Sequence, residues 1–342
     1  IVPVLNKVDL PAAEPEREWR YLGPEPELAR RLACAAAIAA PGVQELLRRS
    51  TAWDALPLTL WFDLGLAAYL LNPEDRGYGF ERLRLALYSA PDGLEGGLEE
   101  DAVSPSPDAD ATETPPHPHA QALAALACRR RFLKRLAAAG LSDLMRDLEL
   151  PLIPVLVGME RLGVRIDFSA FKAFLAEVTA QIEAHSARIQ ELASAAGQTP
   201  FNVRSNQQLA ALLFDKLGLK PAGKTPGGAL STGSEALEKL FDQHPIVSEV
   251  LAFRSVEKLR STYLEPLPRQ ADAQGRLHTR FNQLATATGR LSSSGPNLQN
   301  IPIRGPQGKR MRACFTADPG KLLVAADYSQ VELRVLAHFS QD

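Results

Sequence analysis

Cysteine is scarce in this chain: Cys34, Cys128 and Cys314 stand too far apart to make a metal-binding spacing or a disulfide framework. That excludes the disulfide-stapled secreted scaffolds and suits a reducing cytosol, so a cytoplasmic location is expected. No charged-then-apolar leader opens the sequence. Long apolar runs are missing as well. The most apolar window, WDALPLTLWFDLGLAAYLL at 53–71, is broken by Pro57 and carries Asp54 and Asp63. It reads as core, and no membrane association is expected. The net charge of −2 names no partner. Between 91 and 115, however, there is no Lys or Arg against eight acids. With its Pro, Gly and Ser, the stretch 91–118 is expected to be a disordered or loosely held insertion.

What is present is enough for two or three domains, with 45% hydrophobic residues to fill their cores. Residues 251–312 hold eleven bases against Glu257, Glu265 and Asp272. Such a stretch suits a polyanion such as nucleic acid, although a solvated surface would give the same count. Residues 18–90 are rich in Leu and Ala at helical spacing. A helix beginning near 120 stops at Gly140, and LSDLMRDLELPLIPVLVGMERLG is helical up to Gly163. A long helix is expected at 168–196, with Phe171, Leu175, Val178, Ile182, Ile189 and Leu192 as its apolar stripe and Gly197 as its stop. A second helical stretch, 234–264, presents Ile246, Val250, Phe253 and Val256. The two helices can pair as an antiparallel arm, or each can face a globular core.

Two stretches suggest a nucleotide hydrolase. GLKPAGKT at 218–225 fits the phosphate-cradling loop, and IVPVLNKVDLPAAEPER at 1–17 resembles the guanine-specifying segment of translational GTPases. A phosphate loop must follow a strand and open a helix. Here an amphipathic helix precedes it, with a capping box at Ser205 and Gln208, and Gly218 falls where that helix should stop. Pro226 blocks a helix after Thr225, and the next helix has its own start signal in Thr232 and Glu235. The stretch therefore reads as a turn between helices. DAQG at 272–275 mimics a further GTPase motif but follows no strand. Only a circularly permuted GTPase would fit this order, and 1–17 reads better as an extraneous, fusion-like segment.

From about 276 the texture turns polar, and then KLLVAAD at 321–327 forms an apolar run of strand length before an amphipathic helix. Asp327 at that strand end is well placed to hold a divalent cation at a sheet edge. A turn or cap role is the plainer alternative, and Ser329 with Glu332 makes a capping box.

Longer motifs decide between these readings. DYSQVELRVLAH at 327–338 resembles motif A of the family A DNA polymerases, the group of bacterial DNA polymerase I. TRFNQLATATGRLSSSGPNLQNIPIR at 279–304 resembles the segment preceding motif A. HPIVSEVLAFRSVEKLRSTYLEPLP at 244–268 and PFNVRSNQQLAALLFDKLGL at 200–219 are similar to that family's thumb. The likeness is close over 136–342 and distant over 18–135. It implies an α+β fold: a partial exonuclease-like (RNase H-like) remnant at 18–135, a helical thumb at 136–265 and the beginning of an antiparallel palm at 266–342.

The resemblance also implies roles. Asp327, with the Tyr328 carbonyl, would ligate Mg²⁺ for an in-line phosphoryl transfer, and Glu332 would exclude a ribose at the sugar C2′ position. Arg290, Asn297, Gln299 and Asn300 would lie along the minor groove of a primer–template duplex, whose acceptor-dominated pattern allows a sequence-blind test of pairing. Arg254, Lys258 and Tyr263 would meet phosphates. The partners implied are primer–template DNA and, in the complete enzyme, deoxynucleoside triphosphates; a monomer is expected.

The match has departures. Gly295 replaces the Asp usual in SSSDPN. The sequence ends at Asp342, after motif A, so the fingers helix and the later motif with the second metal carboxylate are not in it. One carboxylate cannot hold a two-metal centre, and these 342 residues alone are expected not to polymerise nucleotides. The rival expectation is a non-catalytic fragment that binds primer–template DNA. The early Asp-x-Glu pair of the proofreading exonuclease is missing too, and its late acidic site reads PHAQALA. Asp63 is therefore expected to be structural, with no exonuclease residue present.

Overall fold

The computed structural model describes residues 24–35, 37–75, 77–88, 118–198, 201–225 and 227–341. The expectations for 1–17 and for the acidic stretch at 91–117 lie outside the described residues. The backbone divides into two compact units. One comprises Ile1–Gly163 with Thr279–Gly295, the other Val164–His278 with Pro296–Asp342.

In the first unit the apolar window at 53–71 is core, as its composition demands. Trp53, Leu56, Trp61, Phe62, Leu64, Leu66 and Tyr69 are buried, and the Trp53 and Trp61 rings meet edge to face at 6.2 Å. The helical pattern read over 18–90 is interrupted by two short parallel strands. Ile38–Ala40 pairs with Trp61–Asp63, in the register Ile38 to Trp61 and Ala40 to Asp63. The second strand is buried at all its positions, so its side chains do not alternate and periodicity cannot reveal it. Helix Pro118–Ala138 ends near Gly140, at φ +68°, where Leu141 N–H bonds the Leu136 carbonyl. A wide π-helical turn, Met145–Glu149, leads into helix Leu150–Leu162, which runs up to Gly163 as expected. The returning segment forms an antiparallel hairpin, Arg280–Asn282 against Ser292–Ser294.

The second unit is built on helix Phe168–Ala195. Asp167 caps it, accepting from the Ser169 and Ala170 N–H groups at 2.8 and 3.0 Å, and Gly197 at φ +73° follows it. Phe171, Phe174, Val178, Ile182, Ile189 and Ala193 are buried; Leu175 and Leu192 of the expected stripe are partly buried against the same core. Helix Pro245–Leu259 packs against it, with Ile246, Val250, Phe253 and Val256 buried as the spacing predicted.

The expected continuous stretch at 234–264 is not continuous. A short helix, Ser234–Glu238, ends, and a new one starts at Pro245 behind His244, whose ring nitrogen accepts from Ile246 N–H at 3.1 Å. Proline at the first helical position has no N–H to lose and a preset φ, so the restart is favourable there. Nor does the Thr232–Glu235 signal operate. Gly233 precedes the helix without a side-chain cap, and the Thr232 hydroxyl turns to Asn206 Oδ1 at 3.3 Å. The later helix widens into a π turn at Arg260–Leu264, with Glu265 N–H reaching back to the Arg260 carbonyl, before Pro266–Gln270.

Ser205 caps its helix by accepting from Gln208 N–H, but the return bond of a full capping box is not made. Gln208 Oε1 instead accepts from Asn202 N–H at 2.7 Å. Gly218 at φ +66° ends that helix, with Leu219 N–H bonded to the Leu213 carbonyl at 3.0 Å. Beyond it, Thr225 N–H bonds the Ala229 carbonyl at 2.8 Å, and Lys224 and Leu230 form an isolated antiparallel bridge. GLKPAGKT thus follows a helix and opens none, the geometry of a connection and not of a phosphate loop.

The sheet of this unit has three antiparallel strands in the order Arg276–Leu277, Val164–Ile166, Phe315–Thr316. The strand expected at 321–327 is not formed. The run is irregular, and Leu322, Leu323 and Val324 are 89%, 61% and 89% exposed. A strand exists only through a ladder partner, and no strand among the described residues pairs with this one. The capping box expected of Ser329 and Glu332 is also not formed. Helix Val331–Ser340 starts one residue too late for it, behind Gln330 in the left-handed region at φ +51° and without a side-chain cap.

Candidate nucleic-acid interface

Arg254 and Lys258 stand one helical turn apart and share a face. Their situations differ. Arg254 is half-buried and donates to Asn206 Oδ1 at 2.7 Å and to the Thr232 carbonyl, so it ties the start of helix Asn206–Ala210 to the backbone at 232; burial lowers its pKa from the usual range. Lys258 is exposed, at the rim of a groove lined also by Ser234, Glu238, Phe241 and Leu251. Tyr263 does not face outward. It is buried and donates its hydroxyl to the Asn300 carbonyl. A tyrosine in a core needs a partner for its polar end, and here that partner is the polar segment itself. Asn297, Gln299 and Asn300 are exposed on that segment, which folds on itself through an Asn297 Oδ1 bond to Gln299 N–H at 3.0 Å.

Helix Gly305–Ala313 follows directly. Its Gly308 is the point where a Cβ would fall 2.5 Å from the Ile303 carbonyl carbon, so only glycine lets the polar segment lie this close to the helix. Of the bases counted in the sequence, several are engaged internally. Arg260 pairs with Glu257 at 2.9 Å, Arg276 with Asp318 at 2.8 Å, and Arg310 with Glu177 while lying over the Phe174 ring. Lys258, Arg269, Arg304, Lys309 and Arg312 are exposed and make no ion pair among the described residues. Arg269, Arg304, Lys309 and Arg312 entered the sequence reading only as charges. The spacing of Lys309 and Arg312 on one helix was the signal that could have singled them out.

Arg290 belongs to the first unit, so the motif 279–304 is divided between the two. It lies in the loop of the Arg280–Ser294 hairpin, exposed, with its carbonyl accepting from the Thr286 hydroxyl at 2.7 Å. Asp327, Tyr328 and Glu332 are exposed in the second unit. Among the described residues no group of three or more His, Cys, Asp or Glu could hold a metal ion. Asp63, expected to be structural, has a structural task. Its buried carboxylate accepts from Val43 N–H at 2.6 Å and Leu66 N–H at 3.0 Å, capping helix Leu64–Leu71, and burial pushes its pKa up to about 6.

Known proteins bear on this geometry. A family model described as DNA polymerase family A matches residues 169–342. The thermostable DNA polymerase I of Thermus filiformis is 53% identical over 201 residues, which are 58% of this chain and 24% of that protein. DNA polymerase I of Bacillus subtilis is 40% identical over 287 residues, 82% of this chain and 32% of its own length. The chain therefore spans about a quarter to a third of these relatives. Among solved structures, the POL domain of Pol1 from M. smegmatis, in complex with DNA primer-template and dNTP, matches with a TM-score of 0.70 and 31% identity. The match covers 92% of this chain and 52% of that one. Because the family model takes in half of the sequence, from the long helix of the second unit to the last residue, the chain belongs to DNA polymerase family A.

Proposed function

We propose that this chain is part of a template-directed DNA polymerase and that its task is to hold a primer–template duplex. The observation that carries this reading is the match over 169–342, joined to the likeness to a polymerase domain bound to primer-template and dNTP. Residues 136–265 serve as thumb and 266–342 as the beginning of the palm. The exposed Lys258, Arg304, Lys309 and Arg312 meet backbone phosphates, a salt-sensitive and sequence-blind contribution. Arg290, Asn297, Gln299 and Asn300 offer donors to minor-groove acceptors. Arg254 and Tyr263 act indirectly, by bracing the helix start at 206, the backbone at 232 and the segment at 300.

Asp327, with the Tyr328 carbonyl, supplies hard oxygen ligands of the kind Mg²⁺ prefers, and Glu332 stands at the sugar edge of an incoming deoxynucleoside triphosphate. The cation, when bound, supplies Lewis-acid chemistry for nucleotidyl transfer. With one such carboxylate these residues alone do not extend a primer. The chain works as a monomer in the cytoplasm.

A labelled hairpin primer–template titrated at several salt concentrations tests the reading, run beside primer extension with Mg²⁺ and dNTPs. The expected result is binding whose logarithm falls with log salt at a slope of about −3 to −5, without extension. No binding at low salt would overturn the duplex-holding role, and clear extension would overturn the inactivity of the isolated residues.

A further inference from the structure

The first unit holds one more buried carboxylate, 121 residues away in sequence from the group it serves. Glu160, near the end of helix Leu150–Leu162, is 5% exposed. Its Oε1 accepts from the Phe281 N–H at 2.7 Å and from Gln44 Nε2 at 3.2 Å. Arg48 grips both oxygens, Nε at 2.7 Å and Nη2 at 3.0 Å. The carboxylate in turn raises the Arg48 guanidinium further above its usual range. Gln44 closes the arrangement from the other side, donating to the Phe281 carbonyl at 3.0 Å.

Phe281 thus has both backbone groups held from outside its own hairpin. The rest of the hairpin is held in the same unit. Thr279 and Ser293 share a hydroxyl bond at 2.6 Å, Gln283 Nε2 reaches Glu149 Oε2 at 2.7 Å, and the Tyr69 hydroxyl donates to the Thr286 carbonyl at 2.8 Å. Arg290 lies in the loop so held. A hairpin this short is marginal by itself, so its register and loop depend on what grips it.

We propose that Glu160 is a positioning residue: held by Arg48 and Gln44, it fixes Phe281 and thereby places the loop that carries Arg290 for its contact with the duplex. The first unit then takes part in DNA binding through this hairpin. The DNA half of this statement rests on the duplex-holding reading above; the hairpin half does not.

The test uses the full 342-residue chain and the variants Glu160→Gln, Gln44→Ala, Arg290→Ala and Glu160→Gln/Arg290→Ala. Gln44→Ala loosens the same grip without burying an unpaired charge, and so covers the case in which Glu160→Gln does not fold. Two quantities are read: hydrogen exchange of the Phe281 amide, and affinity for the hairpin primer–template. Glu160→Gln should speed exchange at Phe281 at least about tenfold with helix Phe168–Ala195 unaffected. It should weaken duplex binding about fivefold, the low end of a lost Arg contact. In the Arg290→Ala background it should weaken binding no further, which a general loss of stability would not reproduce. Additive losses, or unchanged exchange at Phe281, would overturn the proposal. If the unaltered chain binds no duplex, the duplex-holding reading fails by itself, and exchange at Phe281 decides whether Glu160 positions the hairpin.

Discussion

WFDLGLAAYLL in the first unit and LLVAADYSQVELRVL in the second share a plan. In each, an apolar run closes on an aspartate and a helix follows. The outcomes differ. Trp61–Asp63 finds a parallel partner in Ile38–Ala40, and that places Asp63 inside, where it caps the next helix and meets the Val43 amide. Residues 321–327 find no partner strand among the described residues, and Asp327 stays in water. The pattern alone decides neither strand nor site. A neighbouring strand turns a run of apolar residues into a buried element, and the same neighbour sets whether the terminal carboxylate is a structural acceptor or a group open to ligands.

The largest effect that should separate the two aspartates is on stability. Asp63→Ala strips the acceptor from two backbone amides in a buried site and is expected to cost about 3 kcal/mol. Asp327→Ala should change stability by less than about 0.5 kcal/mol, as surface substitutions do. Denaturant unfolding followed by far-UV circular dichroism, which reads the helices of both units, measures both, and equal costs would break the comparison.

A pH series should sharpen it. The folded pKa of Asp63, about 6, lies above its ordinary value of 3.8, so between these values the folded chain keeps a proton that the unfolded chain has lost. The contribution is full below about pH 4 and is lost as pH rises through 6, by about 2 to 3 kcal/mol. Asp63→Asn, which cannot ionise, should lack this decline. If the two unfold in parallel from pH 4 to 6.5, the carboxylate is ionised throughout.

Smaller effects concern the second stretch. Gln330→Gly should stabilise the start of helix Val331–Ser340 by roughly 1 kcal/mol, because glycine adopts φ +51° without a Cβ clash. Circular dichroism of the helix on heating would register the gain. Val324→Ser, at a position 89% exposed, should leave unfolding unchanged within about 0.5 kcal/mol. A clear loss there would mean the run is covered in solution.

Local signals in the sequence were the ones that could be read. Gly140, Gly163, Gly197 and Gly218 take positive φ at helix ends because no other residue does so without strain, and each marked its stop correctly. The stripe on Phe168–Ala195 was legible for the same reason, since its period is a property of the helix alone. What escaped depended on partners distant in sequence. The unpaired run at 321–327, the inward turn of Tyr263 toward Asn300 and the link from Glu160 to Phe281 are all long-range outcomes. The break before Pro245 was local and still escaped, because the stripe at Ile246, Val250, Phe253 and Val256 makes 234–264 read as one stretch unless the His-Pro start is weighed. In the candidate site, the sequence identified residue types suited to a duplex. It could not distinguish Lys258, which is open to solvent, from Arg254, which is engaged by Asn206 and Thr232.

The first unit is discontinuous: it needs residues 279–295 to be complete. During synthesis, then, its earlier part emerges more than a hundred residues before the hairpin that Glu160, Glu149 and Tyr69 will hold. Until that hairpin leaves the ribosome, Glu160 and Arg48 have each other but not the Phe281 amide. A nascent chain arrested before residue 279 would therefore lack the bonds that Glu160, Glu149 and Tyr69 make to the hairpin.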